Sequence, residues 1–338
     1  MKNQFREYYP PSQASTKRHW ETGVFSFDAN VLLNLYRYSP STRQAFFKLL
    51  EKVSDRLWIS YQAAFEYHKN RLTVINAQME AYQEIRATLQ SKRNEIENKL
   101  NGFKKHPYLH ADELKTQIES AFAAISRDLD RIEKDHPNYL DTDPILDRIT
   151  LLLQGKVGDD FAPTELEAAF KEGKRRYEEK VPPGYMDQKD KKDRDNRSLY
   201  GDLIVWKQVV EYTKVSKKPL IFVTDDLKED WWYKFKGRTI SPRPELLKEF
   251  SNLTGQRVQI YQADRFLELA NKNLQQNTSQ VAIDEIRNVR LADEDDLSLG
   301  EYSAPPDSKS IVSDALKPMS FDQIVDEYIS ASKKRDAE

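Results

Sequence analysis

Residues 23–36 read GVFSFDANVLLNLY. Val24 to Asp28 reads as a first strand, a short apolar run of strand-forming residues that ends on a carboxylate. Asn30 follows, and then a second apolar run. One acid at the end of a strand is ambiguous, because aspartate commonly caps the next helix. It gains chemical meaning only if the chain returns to the same place with further acids.

The pattern downstream brings it back. PSTRQAFFKLLEKV (40–53) reads as a helix with Phe46, Leu49, Leu50 and Val53 on one face. RLWIS (56–60) reads as a second strand, and YQAAFEYHKNRLTVI (61–75) starts a helix that carries Glu66 in its first turns. Asp202 opens the helix DLIVWKQVVEYTK (202–214), directly after Gly201. KPLIFVTDD (218–226) is the clearest strand: a continuous apolar run, as expected of a central parallel strand, ending in Asp225 and Asp226. FAPTELEAAFKEGKRRYEEK (161–180) reads as a helix with a cap signal at Thr164 and Glu167. RPELLKEFSNLTG (243–255) is a helix stopped at Gly255, and RVQIYQADRFLELANK (257–272) an edge strand and a helix. Alternating strands and helices predict an α/β fold with a parallel sheet flanked by helices.

Between the two halves the period changes. Ile75, Met79, Tyr82, Ile85, Leu89, Ile96, Leu100 and Phe103 form a heptad-like stripe. Gly102 and Pro107 break it. Leu114, Ile118, Phe122, Ile125, Leu129 and Ile132 form a second stripe, which Pro137 closes. Two stripes joined by a turn predict an antiparallel helical hairpin, inserted in the α/β fold as a structural arm or a partner-binding device. The expected organisation is a first part over 1–71, the hairpin over 72–139 and a second part over 140–272. A flexible linker and a short C-terminal helix, FDQIVDEYISASKK, take up 273–338.

Composition removes several classes of function. The chain of 338 residues has no cysteine, which excludes disulfides, thiolate nucleophiles and cysteine-based zinc sites. Its five histidines show no paired ligand spacing. Basic and acidic residues number 53 and 55, so no global electrostatic footprint for a polyanion exists, and any such partner needs a local patch. No apolar run suits a leader or a membrane span, so a soluble cytoplasmic protein is expected.

Strand C-termini and the N-termini of following helices share one edge of a parallel sheet, where such folds bind ligands. Asp28, Glu66, Asp202, Asp225 and Asp226 should therefore converge. Clustered carboxylates repel unless a positive charge lies among them. Helix N-termini offset about 0.3–1 kcal/mol each, and a hard divalent cation far more. Sites built from carboxylates alone suit Mg²⁺ or Mn²⁺, which points to phosphoryl chemistry with an activated water. No GxxxxGK[ST] loop is present, which argues against an NTPase. Asn30 replaces the second acid that a haloacid-dehalogenase-type phosphatase would need.

VFSFDANVLLNLYR (24–37), RLWISYQAAFEYHKNR (56–71), YGDLIVWKQVV (200–210) and IFVTDD (221–226) resemble the four acidic blocks of PIN-domain nucleases. VPPGYMDQKD (181–190) and DLKEDWW (226–232) resemble a bacterial PIN-like branch with a long helical insertion. The likeness runs roughly from Val24 to Ala270. It implies metal-dependent endonuclease cleavage of RNA or of single-stranded or flapped DNA, with Asp28, Glu66, Asp202 and Asp226 as the acids. The Thr-x-Asp spacing selects Asp226, with Asp225 able to share the metal. Thr224 and Asn30 would orient carboxylates or water. Asp187 and Asp230 would support a second metal or pair with Lys189 and Lys228.

Basic residues flank these acids. Arg37, Lys69, Arg71, Lys189, Lys191 and Arg197 are candidates to hold substrate phosphates, although the loop before Asp202 also carries enough acids to pair with its own cations. Trp231 and Trp232 would stack bases or fill the core. The expected partners are nucleic acid and, through the hairpin, another protein or a second copy. A non-catalytic interaction module built on the hairpin is the rival reading.

Overall fold

The computed structural model describes residues 1–188 and 195–300. Lys189, Lys191 and the C-terminal helix expected from FDQIVDEYISASKK lie outside the described residues. By contacts the chain divides into residues 1–294 and 295–338; the fold below is that of the first unit.

Three wholly parallel strands form the sheet: β1 (Val24–Phe27), β2 (Leu220–Val223) and β5 (Val258–Tyr261), in the order β1-β2-β5. Val24 pairs with Leu220 and Leu220 with Val258, so the three strands end level at Phe27, Val223 and Tyr261. β1 and β2 are buried along their whole length, as unbroken apolar runs between covered faces require. RLWIS is extended but makes only single bridges, Leu57 to Phe25 and Ile59 to Val157. The Trp58 amide donates to Phe25 O, while that of Ile59 turns the other way to Lys156 O, so pairing is split between two neighbours.

Helices cover the sheet. Before β1 lies α1 (Gln13–Thr22), whose Trp20 stacks on Phe266 with ring centroids 5.4 Å apart. Between β1 and the extended segment come α2 (Ala29–Leu33) and α3 (Pro40–Lys52). α3 buries Phe46, Phe47, Leu49 and Leu50, close to the face its sequence marks.

α4 (Tyr61–Asn101) and α5 (Ala111–Asp135) are the two expected long helices. They run antiparallel: Tyr82 OH meets His136 Nδ1 at 2.8 Å, and Arg86 pairs with Asp130 at 2.9 Å and with Glu133. Beyond Ile75 no residue of α4 is buried, and in α5 only Ala111 is. Two helices cannot enclose each other's apolar stripes, so Ile85, Phe103, Leu114, Ile125 and Ile132 stay exposed.

After the arm come α6 (Pro144–Leu153), α7 (Pro163–Glu178), the single turn α8 (Asn196–Leu199) and α9 (Gly201–Ser216). α7 starts one residue before Thr164, because Pro163 takes the first helical position and Glu165 Oε2 accepts the Ala162 amide at 2.7 Å. A hairpin of β3 (Trp232–Phe235) and β4 (Arg238–Pro242) follows β2. It turns at Lys236 and Gly237, both at positive φ. α10 (Pro244–Thr254) precedes β5, and α11 (Ala263–Asn273) follows it.

The segment expected as linker from 273 is helical from Gln280: α12 spans Gln280–Gly300. Ala282, Ile283 and Ile286 are buried, and Val289 packs against the core. Glu285 accepts from the Ser39 hydroxyl at 2.8 Å, while Arg290 meets Asp264 at 3.3 Å. The high polar content of this stretch hides a narrow stripe at helical spacing. No helix of the described residues is long and apolar enough to cross a membrane.

Candidate active site at the acidic edge of the sheet

The level strand ends put Asp28, Thr224 and the start of α11 side by side. Asp28 is the N-cap of α2: its Oδ1 accepts the Ala29 amide at 2.8 Å. Its Oδ2 accepts from Thr224 Oγ1 at 2.8 Å and from Asn30 Nδ2 at 3.0 Å. Asn30 also ties the next loop, its Oδ1 accepting the Asp225 amide at 3.1 Å. Thr224 Oγ1 accepts the Asp226 amide at 3.2 Å. Asn30 and Thr224 thus fix the carboxylate at the end of β1 to the acid pair at the end of β2.

Glu66 comes to the same edge from the second turn of α4. Gln62, one turn earlier, donates Nε2 to Glu66 Oε1 at 2.8 Å. Gln62 is itself held: its Oε1 accepts from Arg197 Nε at 2.8 Å, and its backbone N–H donates to Gln208 Oε1 at 2.9 Å. Arg197 grips Asp160 with both terminal nitrogens, at 3.0 and 2.7 Å. Gly201 gives the room, because a Cβ there would lie 2.2 Å from Glu66 Oε1. Gln62 and Gly201 carry no acid signal and were missed from sequence; only the one-turn spacing of Gln62 and Glu66 hints at the first.

Asp202, in the first turn of α9, faces Trp231, whose Nε1 donates to its Oδ2 at 3.2 Å. Trp231 is fully buried and stacks on Phe222 at 5.5 Å, and Trp232 donates to Asp226 O at 2.5 Å. Both tryptophans fill the core, and their indole N–H groups anchor the acidic edge. Asp226 Oδ1 accepts the Lys228 amide at 2.7 Å. The Lys228 ammonium pairs with Asp187 and lies 3.6 Å from Asp226 Oδ2. Burial opposes its charge, but Asp226, Asp187 and Asp202 outweigh that and lift its proton affinity above the ordinary lysine range. Asp230 accepts the Met186 amide at 2.9 Å through Oδ2, while its buried Oδ1 has no hydrogen-bond partner among the described residues.

The electrostatics show convergence. Burial pushes the Asp28 carboxyl up to about 8, with the charges of Asp202 and Glu66 adding to the effect. Burial pushes Asp230 up to about 7, with Asp226 and Asp202 adding. Asp202 faces both groups. Yet among the described residues no three acidic or imidazole side chains stand so that they could share a metal ion as placed. The two observations agree physically, since uncompensated carboxylates turn toward local donors and away from one another.

Asp225 stands apart. Its Oδ1 accepts the Ala263 amide at 2.9 Å, at the start of α11, and its Oδ2 accepts Asn34 Nδ2 at 3.1 Å. Burial raises it to about 6, against the pull of those two hydrogen bonds. The structure therefore gives it a tie between β2 and α11 rather than a free carboxylate at the edge.

The described basic candidates are engaged within the protein. Arg71 shares Asp143 with Tyr36 OH, Lys69 donates to Ser198 Oγ at 2.7 Å, and Arg37 donates to Asn34 Oδ1 at 3.2 Å. Arg43 donates to Leu35 O and lies over the Tyr139 ring.

A family model described as a PIN like domain matches residues 24–246, more than half of the chain. The chain belongs to the PIN-like domain family. The match takes in Asp28, Glu66, Asp202 and Asp226 together with α4 and α5, and it ends in α10 before β5. PIN-like domains are in general nucleases that bind nucleic acid. Neither a curated protein nor a solved structure gives a significant match.

Proposed function

We propose that this member of the PIN-like domain family is an Mg²⁺- or Mn²⁺-dependent endonuclease that hydrolyses phosphodiester bonds of RNA or of single-stranded or flapped DNA. The observation that carries the reading is geometric: Asp28 ends β1, Glu66 lies against Gly201, and Asp202 follows Gly201 at the start of α9, with the lifted proton affinity of Asp28 in keeping. These are acids from three separate elements at the ligand-binding edge of a parallel sheet.

The donor set fits a hard cation by chemistry and charge: carboxylates alone, with Asp230 Oδ1 buried and without a hydrogen-bond partner among the described residues. Asp28, Glu66, Asp202 and Asp226 would hold it. When bound, it supplies Lewis-acid stabilisation of the charge that builds on the attacked phosphate. Asn30 and Thr224 fix the Asp28 carboxylate, and Gln62 fixes that of Glu66. Trp231 holds Asp202 from the core side and closes that side to solvent. Without a cation, burial and the charges of Asp202 and Glu66 favour the protonated form of the Asp28 carboxyl.

A second reading, a non-catalytic interaction module, is favoured by one observation: Lys228 already neutralises part of the cluster. Labelled single-stranded RNA, single-stranded DNA, flap and duplex substrates with Mg²⁺, Mn²⁺ or EDTA separate the two. Cleavage that needs metal and is lost in Asp28→Asn and Asp226→Asn supports the nuclease. Absence of both cleavage and Mn²⁺ binding leaves the interaction module.

A further inference from the structure

A cavity lies away from the acidic edge. It has a volume of about 380 Å³ and lies beside the edge strand β5, walled by the N-terminal segment, α1 and α10. That is the size range of small-molecule sites. None of the acids described above lines it.

Its floor is Val258, Gln259 and Ile260, all buried. Gln259 is only 6% exposed, and Tyr261 OH donates to its Oε1 at 2.5 Å. Among the described residues its amide Nε2 has no hydrogen-bond partner. A buried amide left so is destabilising unless something in the cavity accepts from it.

The walls carry charge of one sign in excess. Arg6, Lys248 and Arg257 face the single carboxylate of Glu7. Lys248 reaches Glu7 only at 3.9 Å, and among the described residues neither Arg6 nor Arg257 has a carboxylate partner. Tyr9 and Leu247 add apolar surface.

We propose that this cavity binds a mononucleotide-sized organic phosphate, with Arg6 and Arg257 on the phosphate and the Gln259 amide donating to the organic part. Guanidinium groups match phosphate oxygens in a planar, two-point fashion. The volume leaves room for a ring over the Val258–Ile260 floor beyond the phosphate itself. The assignment does not rest on the nuclease reading, since it concerns different residues and is read by binding alone.

The test is calorimetric titration of the full chain, in EDTA, with AMP, UMP, ribose 5-phosphate, inorganic phosphate and adenosine. The expected result is binding of AMP or UMP that weakens roughly tenfold or more in Arg257→Ala and again in Arg6→Ala. It should be unchanged in Asp28→Asn and Asp226→Asn. Ribose 5-phosphate and phosphate should bind more weakly than the nucleotides. The guanidinium of Arg257 makes no described contact that the fold depends on, and Arg6→Ala serves as the second variant if Arg257→Ala is poorly folded. Adenosine binding as well as AMP would overturn the anion assignment. Binding lost in Asp28→Asn but kept in Arg257→Ala would place the ligand at the acidic edge and overturn the site. No heat from any of the five probes at millimolar concentration would overturn it as well.

Discussion

The hydroxyl of Thr224, at the end of β2, donates to Asp28 Oδ2 at 2.8 Å across 196 residues of sequence. The contact exists because β1 and β2 are parallel and end level. It also counters the lift in the proton affinity of Asp28, since a hydrogen bond to the carboxylate favours its charged form. Thr224→Val keeps the shape and removes the donor. We expect metal affinity to fall about 10–100-fold and stability by about 1–3 kcal/mol. Thr224→Ser should restore both, as read by Mn²⁺ titration and urea unfolding.

Glu66 is held by Gln62, and Gln62 by Arg197. Gln62→Met should lower kcat by about tenfold or more with little change in KM, because it frees the Glu66 carboxylate without touching a substrate contact. Gly201→Ala should do the same by displacing Glu66 directly, given the 2.2 Å approach. If either variant raises KM alone, Glu66 belongs to substrate binding instead.

Metal-free stability should fall as pH rises. The ordinary aspartate value is near 3.8, whereas Asp28 is at about 8 and Asp230 at about 7 in the folded chain. Between these values the folded state binds more protons than the unfolded state, so ionising the groups costs stability. Their full contribution is present below about pH 4 and is lost as pH climbs through 7 to 8. Urea midpoints in EDTA should be lower at pH 8 than at pH 6. Asp28→Asn should flatten that slope, and Mn²⁺ should restore the midpoint at pH 8.

Trp231→Phe preserves a ring against Phe222 and removes the N–H that holds Asp202. Activity should drop on the order of tenfold while the melting temperature moves by a few degrees, about 1 kcal/mol of stability. An unchanged rate would mean that Asp202 needs no anchor.

Ile286→Ala should cost about 2–5 kcal/mol, as expected of a fully buried core side chain. A cost near zero by chemical denaturation would show that α12 is no part of the core.

The sequence alone determined the three strands of the sheet and the acids that follow the first two, though not that RLWIS stays outside the ladder. Continuous apolar runs such as LIFV can be satisfied only between two covered faces, and carboxylates at their ends must then share an edge. The helical arm was legible for a similar reason, because a stripe at helical period persists where nothing else competes with it. Local pattern did not reveal α12, whose narrow apolar stripe is outnumbered by charge. It did not reveal the β3–β4 hairpin either, whose turn lacks an Asn-Gly or Asp-Gly signal. Tertiary structure decided what each acid is tied to. Asp225 and Asp226 are neighbours of one residue type, yet Asp225 is spent on Ala263 and Asn34 while Asp226 faces Lys228. It also decided that Gln62, Gly201 and Trp231 serve the carboxylates. Such roles depend on distances between residues far apart in the chain, and no local pattern encodes those distances.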